Sequence, residues 1–294
     1  MSGAPPPDAL ARVPGAGPGG QNVHAVVRLA GGSVNDSWLV DTDDGRYVLR
    51  IQGPAWRSPG VDRRREQEAQ RLAAAAGLAP AVIAQSPEGD VRVCRFIAGR
   101  VWSAVDYDQP AQLLRWCETL ATLHRLPAPR GEPWQFAPQL LAGDYASRAI
   151  RHAAAPAQVR AVEAARTQAA SAAAALAACA LPPVLAHGDA LAGNVVDDGR
   201  LWLIDWEFAQ CADPVWDLAA VAVWTARPAA EWCALAEAAG WACERLAARL
   251  DAALTLHRAL GSLWYLARGE AVPAVLASGA GSGQTSAPRV PDMI

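Results

Sequence analysis

Apolar positions along the chain change their spacing once. In the first third they form short strand-like runs at residues 24–30, 35–41 and 46–51, with two more near 81–85 and 91–97. Gly31-Gly32 punctuates the first pair and Asp43-Asp44-Gly45 the second, as hairpin turns do. One helix follows at about 62–76, with Gly77 as its cap. After Gly99 the spacing becomes helical. Leu113, Leu114, Cys117, Leu120, Ala121 and Leu123 mark a helix over 110–126, and others are expected at 156–180, 214–224, 229–239 and 243–268. One β-island interrupts them at 194–204. The pattern predicts an α+β protein with a strand-rich N-lobe over 21–98 and a helical C-lobe over 99–277. Residues 1–20 and 278–294 are rich in Gly, Pro and other small residues, show little periodicity, and are expected to be flexible.

Composition narrows the function class. Of 294 residues, 52% are hydrophobic, which excludes global disorder. The net charge is −3, and the one basic cluster, Arg63-Arg64-Arg65, sits beside Glu66 and Glu68 as an exposed helix start does. No nucleic-acid partner is expected. The six cysteines form no C-x-x-C pair and have no histidine at metal-ligand spacing, so zinc is not expected. Scattered cysteines and a first segment unlike a signal peptide fit a reducing, cytoplasmic setting. The longest apolar run, around 172–186, is mostly alanine and contains Pro182-Pro183, so no membrane association is expected. Nothing marks an obligate protein partner.

Candidate chemistry concentrates at 187–217. His187-Gly188-Asp189 leads into Asn194, then a hydrophobic run ending Ile204-Asp205-Trp206-Glu207. Asp198-Gly199 is a tight-turn signal between two apolar runs, so 194–205 should fold as a hairpin that returns Asp205 close to Asn194. Asp189 lies on the loop that enters this hairpin. A carboxylate to orient an attacking hydroxyl, with an amide oxygen and a second carboxylate for Mg²⁺, is the set that phosphoryl transfer from ATP requires.

The motif H-G-D-x-x-x-x-N, followed by I-D-W-E and then Asp213-Pro214-Val215-Trp216-Asp217-Leu218-Ala219, resembles the aminoglycoside phosphotransferase and choline kinase superfamily. The resemblance implies a two-lobed protein-kinase-like fold and a small-molecule kinase that uses ATP and Mg²⁺. It implies that Asp189 is the catalytic base, that Asn194 and Asp205 are metal ligands, and that His187 and Asp217 support the catalytic loop. His124, in an L-H motif, is likewise structural by resemblance.

Further resemblances lie in the N-lobe. Leu29-Ala30-Gly31-Gly32-Ser33-Val34-Asn35 is similar to the family's phosphate-covering hairpin, which puts Gly32, Ser33 and Asn35 at the nucleotide. Tyr47-Val48-Leu49-Arg50-Ile51 resembles the strand carrying the phosphate-contacting cation, here Arg50 where many kinases have Lys. Arg65-x-x-Glu68 resembles the family pattern for its partner, which favours Glu68 over Glu66. Phe96 and Ile97 fall on the strand whose backbone meets the nucleobase. Trp206, Glu207 and Trp264 suit a cationic alcohol through aromatic faces and charge pairing.

The combination looks most like the bacterial thiamine kinase-like and choline kinase-like branch. An aminoglycoside or amino-sugar acceptor is the alternative, and a non-catalytic nucleotide-binding relative is the alternative of another class. A protein kinase does not fit, because the loop reads His-Gly-Asp and Asp205 is followed by Trp-Glu.

Overall fold

Two faces of one sheet dictate the first part of the fold. In the computed structural model, which describes residues 4–29, 35–53, 59–131, 134–225 and 227–277, five antiparallel strands are β1 (Val23–Arg28), β2 (Asn35–Thr42), β3 (Gly45–Gln52), β4 (Val82–Gln85) and β5 (Val91–Arg95). Their order is β1-β2-β3-β5-β4. Side chains alternate between faces with period two. One face carries Trp38, Val40, Tyr47, Leu49, Val91 and Val93, all buried in one cluster. The other carries Ser37, Val48, Arg50, Arg92 and Cys94, in register across β2, β3 and β5.

The apolar face is closed by the chain's own start. Helix α1 (Pro7–Leu10) and the turns after it put Ala9, Val13 and Ala16 into the same cluster, each at most 3% exposed. Thr42 fastens the segment by donating to Pro14 O at 2.8 Å. Residues 4–20 are therefore a packed strap, contrary to the expectation of a flexible start. Three small apolar side chains, too few to show a period, are enough to fill the space over the sheet.

Helix α2 (Arg63–Ala75) follows, capped at its start by the Asp62 side chain, which accepts from Arg65 N–H at 2.9 Å. It ends with Gly77 at φ +70, where Leu78 N–H returns to Ala73 O at 2.8 Å. Strands β6 (Arg100–Val101), β8 (Val195–Asp197) and β9 (Leu201–Leu203) form a small sheet around the Asp198-Gly199 turn. The hairpin packs with the first unit, which comprises the residues up to Ser103 together with Ala192–Glu207. The hairpin over 192–207, expected within the C-lobe, belongs to this first unit. The cause is backbone pairing: β8 pairs with β6, and Leu203 N–H donates to Leu78 O at 2.7 Å.

The second unit, Ala104–Leu191 and Phe208 onward, is helical. It contains α3 (Pro110–His124), α4 (Pro138–His152), α5 (Pro156–Ala177), α6 (Val215–Ala222), α7 (Ala229–Ala238), α8 (Leu246–Ala267) and α9 (Ala274–Ala277), with a short pair of strands, β7 (Val184–Ala186) and β10 (Gln210–Ala212). Helices α4 and α5 pack on α8 and on each other. Helix α4 is not predicted by the sequence pattern, because three of its four buried residues are alanine and, of its two leucines, Leu140 is 73% exposed and Leu141 only half-buried. No helix among the described residues is long and apolar enough to cross a membrane. The expected flexible tail, 278–294, lies outside the described residues.

Candidate active site

The His187-Gly188-Asp189 loop is built in the second unit by a buried carboxylate. Asp217, on the first turn of α6, accepts from His187 N–H at 3.0 Å and from Gly188 N–H at 2.7 Å, and His124 Nε2 lies 2.9 Å from its Oδ2. Burial alone would raise this carboxyl. The His124 hydrogen bond, the charges of His124 and His187 and the Gly188 N–H together hold it below the ordinary carboxylate range. Asp189 N–H in turn donates to His187 Nδ1 at 3.3 Å. His187 and Asp217 are both fully buried and brace the loop, and Asp189 itself is half-buried.

Gly188 explains the middle residue of His-Gly-Asp. Its φ is +81, and a β-carbon there would sit 2.3 Å from Phe208 O, so no side chain fits. On the far side of Asp189, Ala190 O accepts two buried donors, Trp116 Nε1–H at 3.0 Å and Tyr107 O–H at 3.3 Å. Burial, with Asp189 and Asp106 nearby, holds the Tyr107 hydroxyl well above its usual pKa and therefore protonated as a donor. These two clamps carry no motif and are invisible in the sequence.

In the first unit the hairpin does what its turn predicts. Val195 pairs with Leu203, and Ile204 N–H donates to Asn194 O at 2.9 Å, so Asn194 and Asp205 stand at one end of it. Asn194 is 2% exposed. Asp205 adopts φ +61, an uncommon left-handed conformation that Asp tolerates better than most residues. An amide oxygen and a carboxylate on adjoining backbone are hard donors, and two protein oxygens are a number that Mg²⁺ commonly takes beside water and phosphate. The pair therefore fits that ion. Among the described residues no group of three His, Cys, Asp or Glu is placed to hold a metal.

Arg50 lies beside this pair. Its Nη2 is 2.9 Å from Asp205 Oδ1 and 3.4 Å from Glu207 Oε2, and its Nη1 is 3.4 Å from Glu66 Oε1. Burial opposes the charge, but Asp205, Glu66 and Glu207 more than offset it and hold the guanidinium above its ordinary pKa. Asn35, with its amide turned so that oxygen faces the guanidinium, accepts from Arg50 Nε at 3.2 Å. The residues around Arg50 wall a cavity of about 330 Å³ that includes Asn35, Arg50, Cys94, Phe96, Ile97, Asn194 and Asp205. Gly32 and Ser33 lie outside the described residues.

Three expected sites need correction. Glu68 is exposed, and the carboxylate on Arg50 is Glu66, which is fully buried. Glu66, Ala69, Gln70 and Ala73 share the buried face of α2, and Glu68, two residues from Glu66, points away. Helical spacing alone would have selected Glu66. Trp206 is fully buried, with its indole N–H donating to Leu203 O at 3.1 Å, so it is core and offers no face to a substrate. Trp264 is half-buried on α8 and already carries a cation, with Arg268 4.6 Å from its ring centroid. Glu207 turns its carboxylate toward Arg50.

The model of the Phosphotransferase enzyme family matches residues 25–248 of the chain. No curated protein matches it in sequence. Among solved structures, a choline/ethanolamine kinase family protein from Mesorhizobium loti is 29% identical, with 88% of this chain and 83% of that chain covered and a TM-score of 0.70. Choline kinase LicA from Streptococcus pneumoniae is 23% identical over 87% and 90% of the two chains, with a TM-score of 0.68. A thermostable mutant of aminoglycoside phosphotransferase APH(4)-Ia, in a ternary complex with ADP and hygromycin B, is 22% identical over 88% and 96%, with a TM-score of 0.59.

Proposed function

The chain belongs to the Phosphotransferase enzyme family and is a small-molecule kinase, and on that premise we propose that it transfers the γ-phosphoryl group of ATP to the hydroxyl of a small cationic metabolite. The observation that carries this reading is the polar end of the 330 Å³ cavity, where Asn194, Asp205 and Arg50 meet beneath the sheet. Arg50 would contact phosphate oxygens. Asn194 and Asp205 would hold Mg²⁺, which when bound neutralises phosphate charge. Asp189 would orient the acceptor hydroxyl and take its proton. Catalysis of this kind is largely positioning and charge compensation.

A cationic acceptor of the choline or thiamine type is supported by the choline/ethanolamine kinase likeness. The buried Trp216 of the second unit stacks at 3.7 Å on His257, which burial lowers to a pKa of about 4, and this stack is packing. An aminoglycoside or amino-sugar acceptor is the second reading, favoured by the likeness to the hygromycin B complex. A coupled assay of Mg²⁺-dependent ADP release over thiamine, choline, ethanolamine, homoserine, amino sugars and aminoglycosides separates them. Asp189→Ala should lower turnover of the active acceptor by about 10²–10⁴-fold while ATP still binds. Turnover undiminished in that variant would reject the role given to Asp189.

A further inference from the structure

Trp102 follows β6 directly and is 3% exposed. Its backbone N–H donates to Val195 O at 2.9 Å, and its indole N–H donates to Asp197 Oδ2 at 3.3 Å. The same stretch meets the hairpin at three earlier points. Arg100 pairs with Asp197 and Val101 with Val196. At Gly99 a β-carbon would stand 2.7 Å from Asp197 O, so the two backbones approach there with no side chain between them. Strand β8 is thus held between β6 and β9. It begins at Val195, the residue after Asn194, and Ile204 N–H on Asn194 O ties in Asp205. Asp197 serves both sides, since its Oδ1 accepts from Gly199 N–H at 2.9 Å and holds the turn. Phe96 and Ile97, just before β6, wall the same cavity as Asn194 and Asp205.

On the reading of this cavity as a nucleotide site with Mg²⁺ at Asn194 and Asp205, we infer that Trp102 is a positioning residue for that pair, acting through Val195 and Asp197. It does not line the cavity and touches neither metal nor nucleotide in this scheme. Strand β6 has only two residues, too few for its ladder alone to fix the hairpin. The indole adds a directional bond to a carboxylate, which is stronger than a bond between neutral groups. That bond sets β8 against β6, and so sets where Asn194 and Asp205 stand relative to Phe96 and Ile97.

The test is calorimetric binding of ADP, first in chelator and then at rising Mg²⁺, with thermal melts in parallel. The proteins are wild type, Trp102→Phe, Asp197→Asn and the double variant Trp102→Phe/Asp197→Asn. Trp102→Phe keeps a buried ring but loses the N–H. Asp197→Asn keeps an oxygen for Gly199 N–H and turns an amide N–H toward the indole. Each single variant should need about tenfold more Mg²⁺ for half of its effect on ADP affinity, the usual cost of losing a support of metal ligands. ADP affinity in chelator should stay at the wild-type value, which a general loosening of the fold would not allow. The double variant should be no worse than either single one, because both changes remove the same bond. A wild-type Mg²⁺ requirement in either single variant overturns the inference. So does an equal loss of ADP affinity with and without Mg²⁺, or a double variant whose cost is the sum of the two. If Trp102→Phe fails to fold, Asp197→Asn decides by its Mg²⁺ requirement and its affinity in chelator. A wild type that binds ADP without responding to Mg²⁺ sinks the metal reading, one that binds no ADP sinks the nucleotide reading, and the inference falls with either.

Discussion

Asp217 and Asp205 are both acidic residues at the ends of motifs, yet they are held in opposite ways. Asp217 is fully buried and receives two backbone N–H groups and a histidine. Those partners cannot leave without unfolding the loop. Asp205 is partly open, its side chain 24% exposed, and is held by a guanidinium that also has Glu66 and Glu207 to turn to. The comparison separates scaffold from working part. A carboxylate fed by backbone donors fixes geometry, whereas one fed by a shared side chain can change partners as substrate arrives.

The strongest way to break this comparison is to attack the scaffold of the second unit. Arg249 is fully buried, donates to Asp213 Oδ2 at 3.0 Å and Oδ1 at 2.5 Å, and also bonds to Ala242 O and Glu244 O. Arg249→Ala leaves Asp213 buried and uncompensated, so chemical denaturation should show a loss of about 3–5 kcal/mol. Gly188→Ala must relieve a clash with Phe208 O in a left-handed backbone. A loss on the order of 1–3 kcal/mol is expected, together with loss of turnover.

His257 sharpens the contrast through pH. Its folded pKa of about 4 lies below the value of about 6.5 in the unfolded chain. Between these values the unfolded state binds the extra proton, so stability falls as pH drops through that window and levels off below it. The slope contributed should be at most about 1.4 kcal/mol per pH unit. Denaturation curves of His257→Phe, which keeps the stack on Trp216, should lose that slope. Asp205→Asn should move stability least, by less than about 1 kcal/mol, because Glu66 and Glu207 still compensate Arg50. Its Mg²⁺-dependent turnover should nevertheless collapse. A large stability loss there would erase the distinction between the two aspartates.

Much of this was legible because local signals agree with the global fold. Period-two runs gave β2, β3 and β5, and the Asp198-Gly199 turn gave the hairpin that joins Asn194 to Asp205. What escaped was set by packing at a distance. The strap of residues 4–20 buries small side chains that no periodicity marks. The Arg65-x-x-Glu68 spacing points to Glu68, whereas the buried face of α2 carries Glu66. Trp102 becomes meaningful only when the pairing of β6 with β8 sets it beside Val195. The tryptophans misled because aromatic residues fill cores more often than they line sites, as Trp206 does.

The five-stranded sheet has one greasy side and one charged side, separated by the thickness of a single backbone. In β3, Leu49 and Arg50 are neighbours in sequence and face opposite environments. A slip of β3 by one residue would drive a guanidinium into the hydrophobic cluster and hang a leucine over the cavity. Every such misalignment is penalised twice, once in oil and once in charge. The same alternation that delivers Arg50 to the cavity also proofreads the strand alignment on which the enzyme depends.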